Sequence, residues 1–398
     1  MTFFNGDKLD AEDVAWSINE LIAKATTRRR ARRRQQGGGQ GRRHRGDHAQ
    51  DAELQPVVDP DRSRRLVFDK DAKYDLKTQA VGSGPYTVAK FVENSSITLK
   101  ANEKYWGKNK AKTPTVVVKY LADDNAAVNA LKSGDVQVLA PITENLAEPF
   151  KSDSAKYTVK AGNGTDKFVL GFNNASGSKL ADKRIRQAIR YAINHKELIA
   201  SRGGADKALG GPIPSLDPGY EDLTNLYPYD QNKAKSLMAE AGYSTDKPLQ
   251  LTLTYANIYG TELGDQLRSQ LKPIGIDLKV NVVEFSTWLQ DVYTNHTFDI
   301  SLVDHNESHD FASWTDPTYY FGYDNKNVTK LYNEGVAATS DKERDAKFAA
   351  AAKLVSEDAP ADWLFNYRIT TATAKGVEGF PFDLNQTVLP LYNVTYTK

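Results

Sequence analysis

The chain has 398 residues, of which 40% are hydrophobic and 26% charged, and its formal net charge is +1. This length predicts two lobes or domains, and the composition is that of an ordinary globular protein. No apolar run approaches the ~18 residues that a membrane helix needs. Cysteine is absent, which excludes disulfides, thiolate nucleophiles and cysteine-ligated metal sites. The first residues carry neither a basic nor an apolar leader, so the sequence read literally predicts a protein without an export signal.

Arginine is concentrated in one segment near the start of the chain. Of the 19 arginines, 12 lie between Arg28 and Arg65, a window that holds 5 acids and none of the 33 lysines. The rest of the chain therefore carries a net charge of about −6. Few side chains between residues 27 and 65 can join a core, so we expect this segment to be disordered.

The arginine-rich segment has three interpretations. It is a basic arm that binds nucleic acid through residues 28–45, a solvated insertion, or a stretch read in a shifted frame of a GC-rich gene. The abrupt change from lysine to arginine favours the shifted frame, and no aromatic residue offers a stacking platform for bases. We therefore expect no nucleic-acid partner.

The first organised stretch follows this segment. A tight turn at residues 82–86 leads into a strand over residues 86–92, and residues 115–121 form another strand. Asp123 or Asp124 caps a short helix over 125–132, which Gly134 ends, and residues 136–139 form a further strand. The order of the last three elements predicts one β-α-β unit.

A longer α/β stretch lies in the second half of the chain. Asp182 begins a helix that ends near residues 203–204, and Asp230 caps a helix that ends at Gly242. Strands are predicted over 249–255, 278–282 and 298–303, with helices between them, and a last long helix runs from Asp341 to Glu357. This β-α-β-α-β order implies parallel strands with right-handed crossovers.

Two strand-like segments, residues 168–172 and 363–367, flank the second stretch. If both cross between lobes, they form a two-segment hinge, and the cleft between the lobes is a natural ligand site. We therefore predict a two-lobed α/β fold with mixed sheets. The first lobe is residues 1–172 with 366–398, and the second lobe is residues 173–365.

The loop after the strand at 298–303 is the candidate binding site. In open parallel sheets, ligands bind beyond the carboxyl ends of the strands. Carboxylates in this loop can pair with a cationic group such as a peptide amino terminus, and its aromatic rings can wall a pocket. The candidate residues are Asp304, His305, Asp310, Trp314, Tyr319 and Tyr320.

Two other interpretations of this loop stay open. The aromatic residues are core and the acids are helix caps, or His305 and His309 form part of a metal site because they are four residues apart. The spacing lacks the His-Glu-x-x-His pattern and the surrounding sequence is typical of a loop, so we expect neither a metal nor a cofactor. A peptide or glycan hydrolase in the same cleft would need a nucleophile-base pair, and the sequence offers none, so we expect no catalysis.

Seven segments in order resemble the extracytoplasmic solute-binding proteins of ABC importers, in the peptide/oligopeptide-binding group. They cover residues 4–14, 82–86, 102–107, 130–136, 172–194, 229–243 and 271–276. The resemblance extends over residues 1–26 and about 66–398, and it implies a two-lobed periplasmic binding protein of the Venus-flytrap type. In peptide binders of this family, an Asp in the loop after the strand at 298–303 holds the peptide amino terminus. Asp310 is the nearest match and Asp304 the alternative.

The resemblance also implies partners and a location. The expected partners are a small peptide or related solute and the membrane subunits of an ABC permease, and the protein is expected to be a monomer. Relatives are periplasmic or held at the cell surface by a lipid anchor. Family members begin with an export signal and further strands, so we expect this chain to be truncated at its start and frame-shifted over residues 27–65.

Overall fold

The computed structural model describes residues 1–20, 23, 67–73, 75, 78–383 and 389–398. The predictions of disorder, a shifted frame and nucleic-acid binding within residues 27–65 therefore lie outside the described residues. The chain divides into two compact units. Unit 1 is Met1–Ala130 with Gly376–Phe380 and Pro390–Lys398, and unit 2 is Leu131–Lys375 with Pro381–Leu389. The predicted lobes are instead divided where two segments were expected to form a hinge. The lobe boundaries at 172 and 366 therefore stay a prediction.

Unit 1 contains an antiparallel sheet. Helix α1 covers residues 11–20 of the described chain, and the sheet has the order β1 (Tyr86–Val92), β2 (Ser96–Ala101), β3 (Thr115–Lys119). Helix α2 (Asp124–Ser133) follows β3, and the Asp123 carboxylate caps it by accepting the Ala126 N–H at 2.7 Å. The predicted strand at 86–92 and the predicted cap are confirmed.

The predicted β-α-β unit over residues 115–139 is wrong. Strand β3 pairs with β2, whereas β4 (Val138–Leu139) pairs with β11 (Ile369–Ala374), in a separate sheet that also holds β5 (Tyr157–Gly162). The local pattern identifies each strand correctly but carries no information about its partner. That partner lies in the last part of the chain and decides the sheet.

Unit 2 is organised around a five-stranded mixed sheet. Its order is β10 (Ala361–Asn366), β6 (Lys167–Phe172), β9 (Ile300–His305), β7 (Leu249–Ala256), β8 (Ile276–Val283). Strand β7 pairs in parallel with β8 and β9, as predicted, whereas β6 runs antiparallel to both β9 and β10. The α/β fold class with mixed sheets is therefore confirmed.

Two helices of unit 2 begin at the capping residues that the sequence predicts. Asp182 accepts the Arg184 N–H, and Asp230 accepts two N–H groups of the next turn. The single helix predicted from Asp182 to residues 203–204 is two helices, because Asn194 starts the second as its N-cap. The helices are α3 (Glu144–Ser152), α4 (Lys183–Ala192), α5 (His195–Ser201), α6 (Gln231–Glu240), α7 (Glu262–Leu271), α8 (Phe285–Trp288), α9 (Lys326–Ala337) and α10 (Asp341–Asp358).

Apolar side chains cover both faces of the five-stranded sheet. On β6, Phe168, Leu170 and Phe172 pack into one cluster with residues of α4, α6 and α7. Val169, between them on the opposite face, packs into a second cluster with residues of α9 and α10. All six residues of β6 are buried. This explains why the five residues after Lys167 form a continuous apolar run rather than an alternating pattern. Among the described residues, no helix is long and apolar enough to cross a membrane.

Candidate functional site

The carboxyl ends of three parallel strands define the candidate site. Strands β7, β8 and β9 end at Ala256, Val283 and His305, and ligands of open parallel sheets bind beyond such ends. The segments after β7 and β8 are tied together, because the Asn257 amide donates to the Glu284 carboxylate at 2.8 Å. The segment after β9 continues into a short 3₁₀ helix, Asp310–Thr315.

Strand β9 is longer at its carboxyl end than the sequence predicted. The predicted end was residue 303, but Asp304 pairs with Phe168 of β6 and His305 pairs with Lys167. The expectation that Asp304 and His305 lie in the loop is therefore wrong. The neighbouring strand β6 extends the ladder by two residues and fixes the backbone of both candidates.

The aromatic candidates divide into core and partly exposed residues. Trp314 is 5% exposed and stacks on Phe321 at a ring distance of 4.5 Å, and Tyr320 is 1% exposed. Tyr319 is only partly buried, and its ring centroid lies 4.9 Å from that of Tyr320. The interpretation of these aromatics as core residues therefore holds for Trp314 and Tyr320, which pack in the hydrophobic core next to the loop.

His305 is a neutral imidazole at the edge of this aromatic cluster. Its Nε2 atom lies 3.0 Å from the Tyr320 hydroxyl, and the two rings are nearly parallel. Burial lowers the pKa of His305 to about 4, although Asp310 opposes the shift. His309 takes a left-handed backbone conformation and donates its N–H to Asp217. Within the described part of the chain, no group of three or more acids and histidines could hold a metal ion.

Asp304 is an acid with an incompletely satisfied carboxyl group. Its Oδ1 atom is buried and has no hydrogen-bond partner among the residues that the structure describes, while its backbone N–H donates to the Tyr259 hydroxyl at 3.1 Å. Burial raises the pKa of the Asp304 carboxyl to about 6, against the opposing charges of Lys167 and Arg202. Near neutral pH this carboxylate is therefore destabilised, and a hydrogen-bond donor from a ligand would stabilise it.

Asp310 has a counter-ion within the chain. Its Oδ2 atom lies 3.2 Å from Nζ of Lys167, a side chain that is only 2% exposed. The same ammonium donates to the carbonyl oxygens of Thr165 at 3.0 Å and Glu307 at 2.8 Å. Lys167 could not be singled out from the sequence, because a lysine at the start of an apolar strand usually lies in solvent. No local signal indicates a partner so far along the chain.

Arg202 and Asp206 form a second charged pair that the sequence analysis missed. The Nε atom of Arg202 lies 2.7 Å from Oδ2 of Asp206, whose side chain is 4% exposed. The guanidinium also lies over the rings of Phe168, Phe365 and Tyr367 at 5.1, 4.7 and 5.9 Å. This stacking fixes the cation that faces Asp304.

The hydrogen bond between His305 and Tyr320 gives a testable prediction. Tyr320→Phe removes the hydroxyl from a buried pair, so the free energy of unfolding should fall by about 1–2 kcal/mol. Urea denaturation measures this loss, and Tyr229→Phe, at a residue that is 52% exposed, is the matched control. Equal stability of the two variants would show that the Tyr320 hydroxyl contributes nothing to the site.

Comparison with known proteins gives a family match over most of the chain. The model of "Bacterial extracellular solute-binding proteins, family 5 Middle" matches residues 1–329. A probable D,D-dipeptide-binding periplasmic protein of Escherichia coli is 28% identical in an alignment of 334 positions that covers 79% of this chain and 62% of the relative. A glutathione-binding protein of Shigella flexneri is 23% identical in an alignment of 318 positions that covers 75% of this chain and 62% of the relative. The chain thus spans about three fifths of these curated relatives.

Solved structures share the fold. A putative peptide-binding protein from Clostridium difficile matches with a TM-score of 0.69 and 20% identity, covering 80% of this chain and 68% of that one. A periplasmic binding protein from Helicobacter pylori, solved with a bound peptide, matches with a TM-score of 0.62 and 22% identity, covering 80% of this chain and 64% of that one. The predicted periplasmic-binding-protein fold is confirmed.

Proposed function

This chain belongs to the bacterial extracellular solute-binding proteins of family 5, and from that premise we propose that it captures a small solute for an ABC importer. In this proposal the protein binds the solute outside the cytoplasm and delivers it to the membrane subunits of the permease. It performs no chemistry on the solute. The observation that carries the proposal is the family match over residues 1–329, together with a polar and aromatic site at the carboxyl ends of three parallel strands.

A peptide or a related small molecule is the proposed solute. The named relatives are a probable D,D-dipeptide-binding protein and a glutathione-binding protein, and both of these ligands are short chains with amide groups. Such ligands are held by hydrogen bonds to their main chain and by charge pairing at their ends. The partly buried acid, the neutral imidazole and the partly buried tyrosine of this site suit those contacts.

Among the candidate residues, we assign direct solute contact to Asp304, His305 and Tyr319, because each is only partly buried. Trp314 and Tyr320 support this surface from the core. The carboxyl group of Asp304 is the polar contact that we expect to contribute most, since its buried oxygen has no partner within the described chain. Asp310 holds the loop in place through Lys167.

The test begins with the solute that the protein carries. Native mass spectrometry of the purified protein should detect a bound small molecule, and calorimetry with that molecule then gives its affinity. Asp304→Asn should weaken binding by about tenfold or more, because a hydrogen bond to a charged group contributes about 1.5–3 kcal/mol.

The matched control is Asp277→Asn, which makes the same chemical change at an exposed position near the amino end of β8. We expect this control to bind the solute like the unchanged protein. A protein that carries no solute and binds none from a panel of di- to pentapeptides would contradict the proposed function. Equal affinity in both variants would contradict only the role of Asp304.

A further inference from the structure

We propose that Lys167 determines solute specificity, because its ammonium group fills the cation site beside Asp310. On this proposal, which rests on the proposed function, the loop after β9 receives a neutral group of the solute. It does not receive a free amino terminus at Asp310. At the proposed site, the solute therefore presents a group without a positive charge.

The contacts of Lys167 are those of a fully bound ammonium ion. An ammonium group has three N–H donors, and Nζ of Lys167 has three acceptors. These are the Thr165 carbonyl oxygen at 3.0 Å, the Glu307 carbonyl oxygen at 2.8 Å and the Asp310 carboxylate at 3.2 Å. A solute ammonium would need the same set of acceptors, and every one of them already accepts from Lys167.

The burial of Lys167 makes this arrangement hard to displace. Its side chain is 2% exposed, and that of Asp310 is 16% exposed. A buried ammonium without its carboxylate partner is strongly unfavourable, so neither charge can leave the pair at low cost. A second cation brought to Asp310 would also lie close to the first, and like charges at such distances repel strongly in a partly desolvated site.

The charged and titratable neighbours do not restore a free cation site. His305, opposite Lys167 across the β6–β9 pair, is held neutral by burial, which lowers its pKa. Asp304 faces the positive charges of both Lys167 and Arg202, and Asp206 beside Arg202 is already in an ion pair. Both cations near this loop are therefore already paired with carboxylates of the chain, Lys167 with Asp310 and Arg202 with Asp206.

Chemical rescue tests the cation site without any solute. Lys167→Ala removes three methylene groups and the ammonium, which n-propylammonium replaces. Millimolar n-propylammonium should raise the melting temperature of Lys167→Ala by about 3 °C or more through binding to the folded state. It should not raise that of the unchanged protein, and n-propanol should have no effect on either. Lys156→Ala, at an exposed side chain, is the control that should not respond.

A second assay tests specificity with tri-alanine and N-acetyl-tri-alanine. The unchanged protein should bind the free amine no more than about threefold better than the acetylated peptide. Lys167→Ala should gain a preference for the free amine of about tenfold, because the vacated acceptors and Asp310 then hold its ammonium. If Lys167→Ala does not fold, Lys167→Gln replaces it, since glutamine keeps donors but carries no charge.

Each outcome decides one question. A tenfold preference of the unchanged protein for the free amine would overturn the proposal, and so would the absence of rescue by n-propylammonium. Rescue combined with the gained preference supports it. If tri-alanine binds neither protein, the result counts against a tripeptide solute, while the rescue assay still decides whether Lys167 occupies a cation site.

Discussion

Asp362→Ala is expected to lower the free energy of unfolding by about 3–5 kcal/mol, because it leaves a buried guanidinium without its counter-ion. Asp362 lies in β10 with a side chain that is 0% exposed, and its Oδ1 atom is 3.3 Å from Nε of Arg190. Its other oxygen lies 3.1 Å from Nε2 of His195. Arg190 is held between the rings of Tyr227 and Trp363, at 4.2 and 5.3 Å, so it cannot turn toward solvent.

Urea denaturation of the Asp362→Ala variant and of the unchanged protein measures this loss of stability. Asp277→Ala removes an exposed carboxylate from the same sheet and should change the free energy of unfolding by no more than about 0.5 kcal/mol. Arg190→Met added to Asp362→Ala should recover part of the loss, because it removes the unpaired charge. A loss below about 1 kcal/mol in Asp362→Ala alone would mean that Arg190 is hydrated or finds another acceptor.

Asp304 and His305 should give opposite dependences of stability on pH. The pKa of Asp304 is raised to about 6 in the folded protein, so between pH 6 and 4 the folded state holds a proton that the unfolded state lacks. The pKa of His305 is lowered to about 4, so between pH 6.5 and 4 the unfolded state holds a proton that the folded state lacks. In the unchanged protein these two effects nearly cancel across that window.

Single substitutions should expose each effect. Asp304→Asn leaves only the His305 contribution, so stability should fall by up to about 3 kcal/mol as the pH falls from 6.5 to 4. His305→Gln leaves only the Asp304 contribution, so stability should rise by a similar amount as the pH falls from 6 to 4. Urea denaturation from pH 4 to 7.5 measures both slopes relative to the unchanged protein. Parallel pH profiles for all three proteins would contradict the opposed shifts.

Much of the fold is encoded in local pattern. The β7–β9 stretch could be predicted because its strands and helices follow one another in the chain and pair in that neighbourhood. Strands β3 and β4 are also visible in the sequence, yet their pairing is not, since β4 finds its partner in β11. Hydrophobic periodicity identifies an element and its buried face, whereas the partner depends on contacts between distant residues.

The position of the candidate site stays a prediction, and its charge state could not be predicted from the sequence. The acids and aromatic rings after β9 could be singled out because ligand sites follow the carboxyl ends of parallel strands. The charge state of the site could not, since it depends on Lys167 and Arg202. These residues lie far from the loop in sequence, and their charges act on it only in the folded chain.

The position of β6 in the sheet of unit 2 has a consequence for the timing of folding. Strand β6 (Lys167–Phe172) is buried on both faces and lies between β9 and β10, which begin only at Ile300 and Ala361. A ribosome adds ~5–20 residues per second, so β6 waits roughly ten seconds or more for its second neighbour. Such long-range pairing also slows folding after synthesis. In a nascent chain of this topology, β6 therefore stays without its full set of neighbours until β10 has been made.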